Sequence, residues 1–238
     1  MHKLISHLLD SIFPIPCSFC GKYDLFASKL SICKQCIFEN KRPTTEEIIT
    51  RCKICDLPVK GDTCDFCNSR NIFFSKLHSI RTKGYIEKEM IQKIKFGNVP
   101  YLSNFFRIGL RKFLPGFKRM NFANIVIIPS NKKTLRKRPL PVCYPVIQFL
   151  EKSLRIRTIS PFYKKSQELQ SGKSFRERFI HAQNAFALKK EFIHSFRGNY
   201  LLVDDVFTTG ATINEIAKIL LQNGAENVEV LVLVKGKV

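Results

Sequence analysis

Apolar positions along the 238-residue chain follow two periods, and the elements they predict alternate. Residues 4, 5, 8, 9 and 12 fall on one helical face and imply an amphipathic helix over 1–15, docked on the chain's own body. Positions 86, 90, 91 and 94, bracketed by Gly84 and Gly97, predict a helix over Tyr85–Phe96 with Lys88, Lys93 and Lys95 exposed. Positions 102, 105, 106, 109, 110 and 113 predict another helix over 101–114. The run Asn124–Ile128, stopped by Pro129, reads as a buried strand, followed by a helix over 142–154 and a strand over Ile156–Ile159. Polar, basic residues 164–178 read as a long surface loop. Tyr200–Val203 and Val228–Val234 are further buried strands, flanking a helix at 213–221 that Gly224 closes. Strands alternating with helices imply an α/β domain with a mostly parallel sheet and helices on both faces.

Composition adds a partner class. With 40 Lys+Arg against 19 Asp+Glu, the formal charge is +21, which suits a polyanion such as nucleic acid, a phosphorylated metabolite or an acidic membrane surface. No stretch approaches the roughly 18 apolar residues needed to span a bilayer, and the first ten residues are too interrupted for a signal peptide. A cytoplasmic location is therefore expected. Disulfides are rare there, so the nine cysteines require another account.

Eight of them form four pairs of one spacing: Cys17/Cys20, Cys33/Cys36, Cys52/Cys55 and Cys64/Cys67. A C-x-x-C turn aims two thiolates at one tetrahedral ion, and two turns close a four-sulfur structural zinc site. Gly21 and Asp56, each following a cysteine, suit tight knuckles. The expectation is a double zinc ribbon over 16–70 with two structural Zn²⁺ ions, ahead of the α/β domain over 71–238. Sequential pairing (17/20/33/36 and 52/55/64/67) and crossed pairing both satisfy the spacing. A redox pair would need a thioredoxin-like context that the chain lacks. Cys143, alone in an apolar run, reads as a buried small residue. Two zinc ions on eight thiolates would bring the charge to about +17, still strongly basic.

The segment Leu201-Leu202-Val203-Asp204-Asp205-Val206-Phe207-Thr208-Thr209-Gly210-Ala211-Thr212 carries the most chemistry. Two adjacent acids end a buried strand, at the edge where open α/β sheets bind ligands. Like charges side by side are costly unless hydroxyls or a metal engage them. The Thr/Gly turn then enters a helix whose N–H groups can surround a phosphate, and Thr212 with Glu215 has capping-box spacing.

This segment resembles the phosphoribosyl-pyrophosphate (PRPP) loop of type I phosphoribosyltransferases. The resemblance implies a type I phosphoribosyltransferase-like fold. It makes Asp204 and Asp205 ligands of the ribose hydroxyls and Thr208, Thr209, Gly210, Ala211 and Thr212 the cradle of the 5′-phosphate, with Mg²⁺ accompanying PRPP. It further implies a pyrophosphate loop at Pro129, Ser130 and Asn131, where Lys132 and Lys133 would neutralise the diphosphate. The whole order of parts is similar to the ComF (ComFC) competence proteins. That likeness rests on the amphipathic start, Phe13-Pro14 before the first cysteine pair, the double ribbon, the Tyr85…Ile94-Lys95-Phe96-x-Asn98 helix, Ala185-Phe186 and the PRPP loop. Two departures stand out. An Arg-Gly-Phe-Asn-Gln stretch usual in the family is Arg138-Pro139-Leu140-Pro141-Val142 here, and His181 replaces a customary Asn, while Arg178 is kept.

The resemblance implies a protein that binds PRPP and handles single-stranded DNA during natural transformation, docking DNA-uptake or recombination proteins through its ribbons. From Lys132 to Arg178 there are 13 Lys+Arg and three acids, a charge that suits a phosphate backbone. Lys95, Lys132, Lys133, Arg136, Arg138 and Arg178 are the candidate phosphate or DNA contacts, and Phe149, Phe162, Tyr163, Phe175 and Phe179 the candidate stacking rings. The alternative is a Mg²⁺-dependent phosphoribosyltransferase that couples a nitrogenous base to PRPP, which the 138–142 departure disfavours. A third reading keeps the ribbons as an adaptor and the ligand fold as a relic.

Overall fold

A computed structural model describes residues 16–24, 27, 32–39, 50–59, 64–69, 71–96, 100–129, 141–165 and 185–236. The expected 1–15 helix lies outside them. So do Ser130, Asn131, Lys132, Lys133, Arg136, Arg138 and Arg178, and with them Phe175, Phe179 and His181.

The helices are α1 (Lys34–Glu39), α2 (Asp65–Asn68), α3 (Tyr85–Phe96), α4 (Asn104–Leu110), α5 (Leu114–Met120), α6 (Tyr144–Leu154) and α7 (Ala211–Gln222). The strands are β1 (Lys76–Thr82), β2 (Phe122–Ile127), β3 (Arg157–Ile159), β4 (Phe162–Lys164), β5 (Phe186–Leu188), β6 (Asn199–Phe207) and β7 (Asn227–Lys235). Five of them form one sheet in the order β1-β7-β6-β2-β3, every neighbouring pair parallel. β4 and β5 make a separate antiparallel pair.

The apolar runs of β6 and β7 are buried on both sides, as strands covered by helices require. Leu201, Val203, Leu231 and Leu233 face one core, built with Ile86, Met90 and Ile94 of α3, Phe106 of α4, Phe117 of α5 and Leu150 of α6. Leu202, Val230 and Val232 face the other, where Ile213, Ile216 and Leu220 of α7 pack. The cysteine clusters divide the same way. Cys17, Cys33 and Cys36 join the first core, Cys55 and Cys64 the second. This parallel α/β sheet behind a cysteine-rich N-terminal region is consistent with the expected phosphoribosyltransferase-like architecture. No helix among the described residues is long and apolar enough to cross a membrane.

Several local expectations change. β6 does not stop at the acids but runs on to Phe207, because Asp204 and Val206 still pair with Val232 and Val234 of β7. The stripe at 101–114 divides into a 3₁₀ turn (Pro100–Ser103) and α4, and α5 follows with Pro115 in its first turn. The expected 164–178 loop starts inside β4. Lys93 and Lys95 are half-buried, since both engage partners, whereas Lys88 is exposed as expected. β1 escapes the apolar pattern altogether. Of its seven residues only Leu77 and Ile80 are buried, and its polar His78 sits 2.7 Å from the buried Glu229 of β7.

Candidate functional site

The strand order fixes where a ligand can lie. From β2 the sheet continues outward to β3, and from β6 it continues the other way to β7, so the neighbouring ends of β2 and β6 flank the switch point. Pro129 follows β2 there, half-buried, and the acid pair lies in the second half of β6.

A cavity of about 420 Å³ opens at this edge, lined by Lys95, Asp204–Val206 and Thr208–Ile213. All seven predicted residues of the 204–212 loop are therefore brought together, and Lys95 of α3 joins them from across the cleft. Its Nζ lies 2.7 Å from Asp205 Oδ2. Asp204 Oδ1 accepts the amide hydrogen of Asp205 at 2.8 Å. Burial, and then the Asp205 charge, push the Asp204 carboxyl up to about 7, although that amide and Lys95 act in the opposite direction. The residue keeps partial solvent contact along the cleft.

Helix α7 begins at Gly210, not at Thr212. Gly210 takes φ 70° as the N-cap, and Thr212 lies inside the first turn, so the capping-box reading is replaced by a glycine cap. Thr208 is exposed and Thr209 half-buried, and the Thr209 hydroxyl accepts the Ala211 amide at 3.4 Å. A cation facing one carboxylate, hydroxyls at the turn and a helix N-terminus thus meet in one cavity, groups of the kind that can hold anions and hydroxyls.

The cysteines pair sequentially. Cys17, Cys20, Cys33 and Cys36 form one cluster and Cys52, Cys55, Cys64 and Cys67 the other, each with its sulfurs within 4.8 Å of one another. Sγ–Sγ separations are 3.8 and 3.7 Å in the first and 3.7 and 3.5 Å in the second. A tetrahedral zinc with Zn–S near ~2.3 Å needs sulfur–sulfur edges of about 3.8 Å, so both clusters fit the ion. The knuckles repeat one another. Gly21 and Asp56 both adopt positive φ, and their amides return to Cys17 O and Cys52 O at 2.9 Å each. Burial opposes ionisation of Cys17 and Cys52, but surrounding backbone N–H groups outweigh it and bring them to about 6 and about 7. Burial pushes Cys55 up to about 12 and also raises Cys33, Cys36 and Cys67. Four thiolates in one cluster thus call for a divalent cation.

Of the candidate stacking rings among the described residues, Phe162 is core, Phe149 packs against core, and Tyr163 is half-exposed. The sequence reading missed Lys235, whose buried ammonium is held by Asp56, and Asn214, which bonds Asn71 and Phe73. A lysine closing an otherwise apolar strand was the available signal for the first.

No protein-family model matches the chain. It is 25% identical over 190 residues to Competence protein ComFC of Streptococcus pneumoniae, covering 80% of this chain and 81% of that one. Against Competence protein ComFC of Bacillus subtilis it is 24% identical over 232 residues, or 94% and 91%. A shorter match, 44% identical over 64 residues, is to Competence protein F of Haemophilus influenzae and covers 26% of this chain and 27% of that protein. Along most of its length the chain is thus similar to ComFC competence proteins, and its two four-cysteine clusters fit a double zinc ribbon.

Proposed function

We propose that the chain is a competence protein that binds PRPP with Mg²⁺ in the Asp204–Thr212 cavity and handles single-stranded DNA during natural transformation. The competence role follows the printed names of its relatives. The observation that carries PRPP binding is the adjacent acid pair, opposed by Lys95 and followed by a glycine-capped helix, all in one cavity. Asp204 and Asp205 accept the ribose hydroxyls, and the Thr208–Thr212 turn and the α7 N-terminus hold the 5′-phosphate. Asp204 and Asp205 are also the carboxylates of this cavity that would hold Mg²⁺, which would supply charge neutralisation for the diphosphate. Pro129 follows β2 at the same sheet edge, and Ser130, Asn131, Lys132 and Lys133, which lie outside the described residues, are the proposed diphosphate contacts. Arg136, Arg138 and Arg178 remain proposed DNA contacts, supported by the basic 132–178 run. Two zinc ions hold the ribbons, which offer docking surfaces to uptake or recombination proteins.

At about a hundredfold excess over its Kd, PRPP with Mg²⁺ stabilises the folded protein by about 2.7 kcal/mol. Differential scanning fluorimetry is expected to show this as a rise in Tm for the wild type, absent in Asp204→Ala/Asp205→Ala. An equal rise in that variant refutes the assignment. The shift also depends on pH. A folded-state pKa raised to about 7 means that Asp204 binds a proton in the folded protein where the unfolded chain does not, so its contribution to apo stability is lost as pH rises through about 7. Asp204→Asn removes that slope from the apo Tm profile, while the PRPP-induced shift of the wild type grows between pH 6 and 8 as the carboxylate forms.

Single-stranded DNA is expected to bind with log K falling by about 0.7 per phosphate contact for each unit of log[salt]. No binding at low salt in fluorescence anisotropy overturns the DNA reading. Metal analysis should find two zinc ions per chain, and Cys55→Ser should lose one of them.

A further inference from the structure

Both ribbons carry Phe immediately before the second cysteine of a knuckle, in Cys17-Ser18-Phe19-Cys20 and Cys64-Asp65-Phe66-Cys67. The two rings have different neighbours. Phe19 lies under Lys93 of α3, with Nζ 5.1 Å from the ring centroid. Phe66 is 6% exposed and lies against the end of β6, its centroid 5.5 Å from that of Phe207 at an interplanar angle of 58°.

Phe207 and Phe66 together wall the turn that enters α7. A Cβ added to Gly210 would stand 2.8 Å from Phe207 Cε2 and 3.2 Å from Phe66 Cζ. No side chain fits there, and the backbone of the ligand loop rests directly on a ring held between two cysteines of the second cluster. Two further ties run the same way. Lys235, 2% exposed at the end of β7, holds both the carbonyl and the carboxylate of Asp56, the residue after Cys55. The next residue, Gly236, donates its amide to Phe207 O at 2.7 Å. Asn214, on the first turns of α7, donates to Asn71 O at 2.9 Å and accepts from Phe73 N at 2.8 Å, binding the helix to the segment that leaves the ribbon. The first cluster, in the opposite core, is tied instead to α3, through Lys93 with Ser18 O and Phe19.

We propose that Phe66 is a positioning residue for the ligand loop, and that through it metal occupancy of the Cys52/Cys55/Cys64/Cys67 cluster sets the conformation of Phe207–Gly210. The knuckle fixes the ring, the ring fixes the turn, and the turn sets where the N-terminus of α7 meets the ligand. Only the ligand-affinity arm of this inference rests on the PRPP reading.

Residue-resolved hydrogen exchange tests it on the zinc-loaded full chain, read at the amides of Ala211, Asn214 and Gly236, whose acceptors are Thr209, Gly210 and Phe207. Phe66→Ala is expected to keep both metal ions and to speed exchange at these amides by about tenfold, the scale of one lost aromatic contact. Phe66→Leu, which retains most of the buried volume, gives a smaller rise and keeps the test decisive where the alanine variant loses metal or fold. Phe19→Ala leaves the three amides at wild-type rates. PRPP affinity falls in the same order as exchange rises. Unchanged exchange in the metal-loaded Phe66 variants overturns the proposal, as does an equal rise in Phe19→Ala. Faster exchange in a protein whose wild type ignores PRPP upholds the coupling and removes only the ligand reading.

Discussion

Two carboxylates on consecutive residues of a covered strand are the constraint around which the C-terminal region is arranged. Their repulsion and burial push Asp204 towards its protonated form, and a cation is needed close by. The chain supplies one from another element. Lys95 occupies the last turn of α3, so the packing of α3 on the sheet brings its ammonium to Asp205. That packing is the work of Ile86, Met90, Ile91 and Ile94, all buried. An apolar stripe thus sets an electrostatic distance.

The ribbons act on this site from two sides. The first grips α3 near the same end as Lys95, where Lys93 donates to Ser18 O. The second lies under Phe207 and Gly210. Among the described residues, the buried cysteines of each cluster join one of the sheet's two cores. Metal-binding free energy in segments of this kind is folding free energy.

The pairs of cysteines, the acid pair and the Thr/Gly turn were legible in the sequence because their spacing is local, and the helix over Tyr85–Phe96 matches its pattern to the residue. Sequential pairing of the clusters was not legible, since a C-x-x-C turn states which two thiolates share an ion but not which second pair completes it. The Thr212 cap failed for a different reason. Gly210, two residues earlier, already satisfies the turn geometry, and a glycine with positive φ starts the helix before the hydroxyl can cap it. β1 was missed because an edge strand that is buried at only two positions shows neither period clearly. Contacts such as Asn214 with Asn71, 143 residues apart, leave no local trace at all.

The placement of the two clusters in opposite cores has a geometric corollary. Cys17, Cys33 and Cys36 pack into one core, and Cys55 and Cys64 into the core on the other side of the sheet. Repetition in the sequence, once folded, has become two separately addressable sides of one molecule.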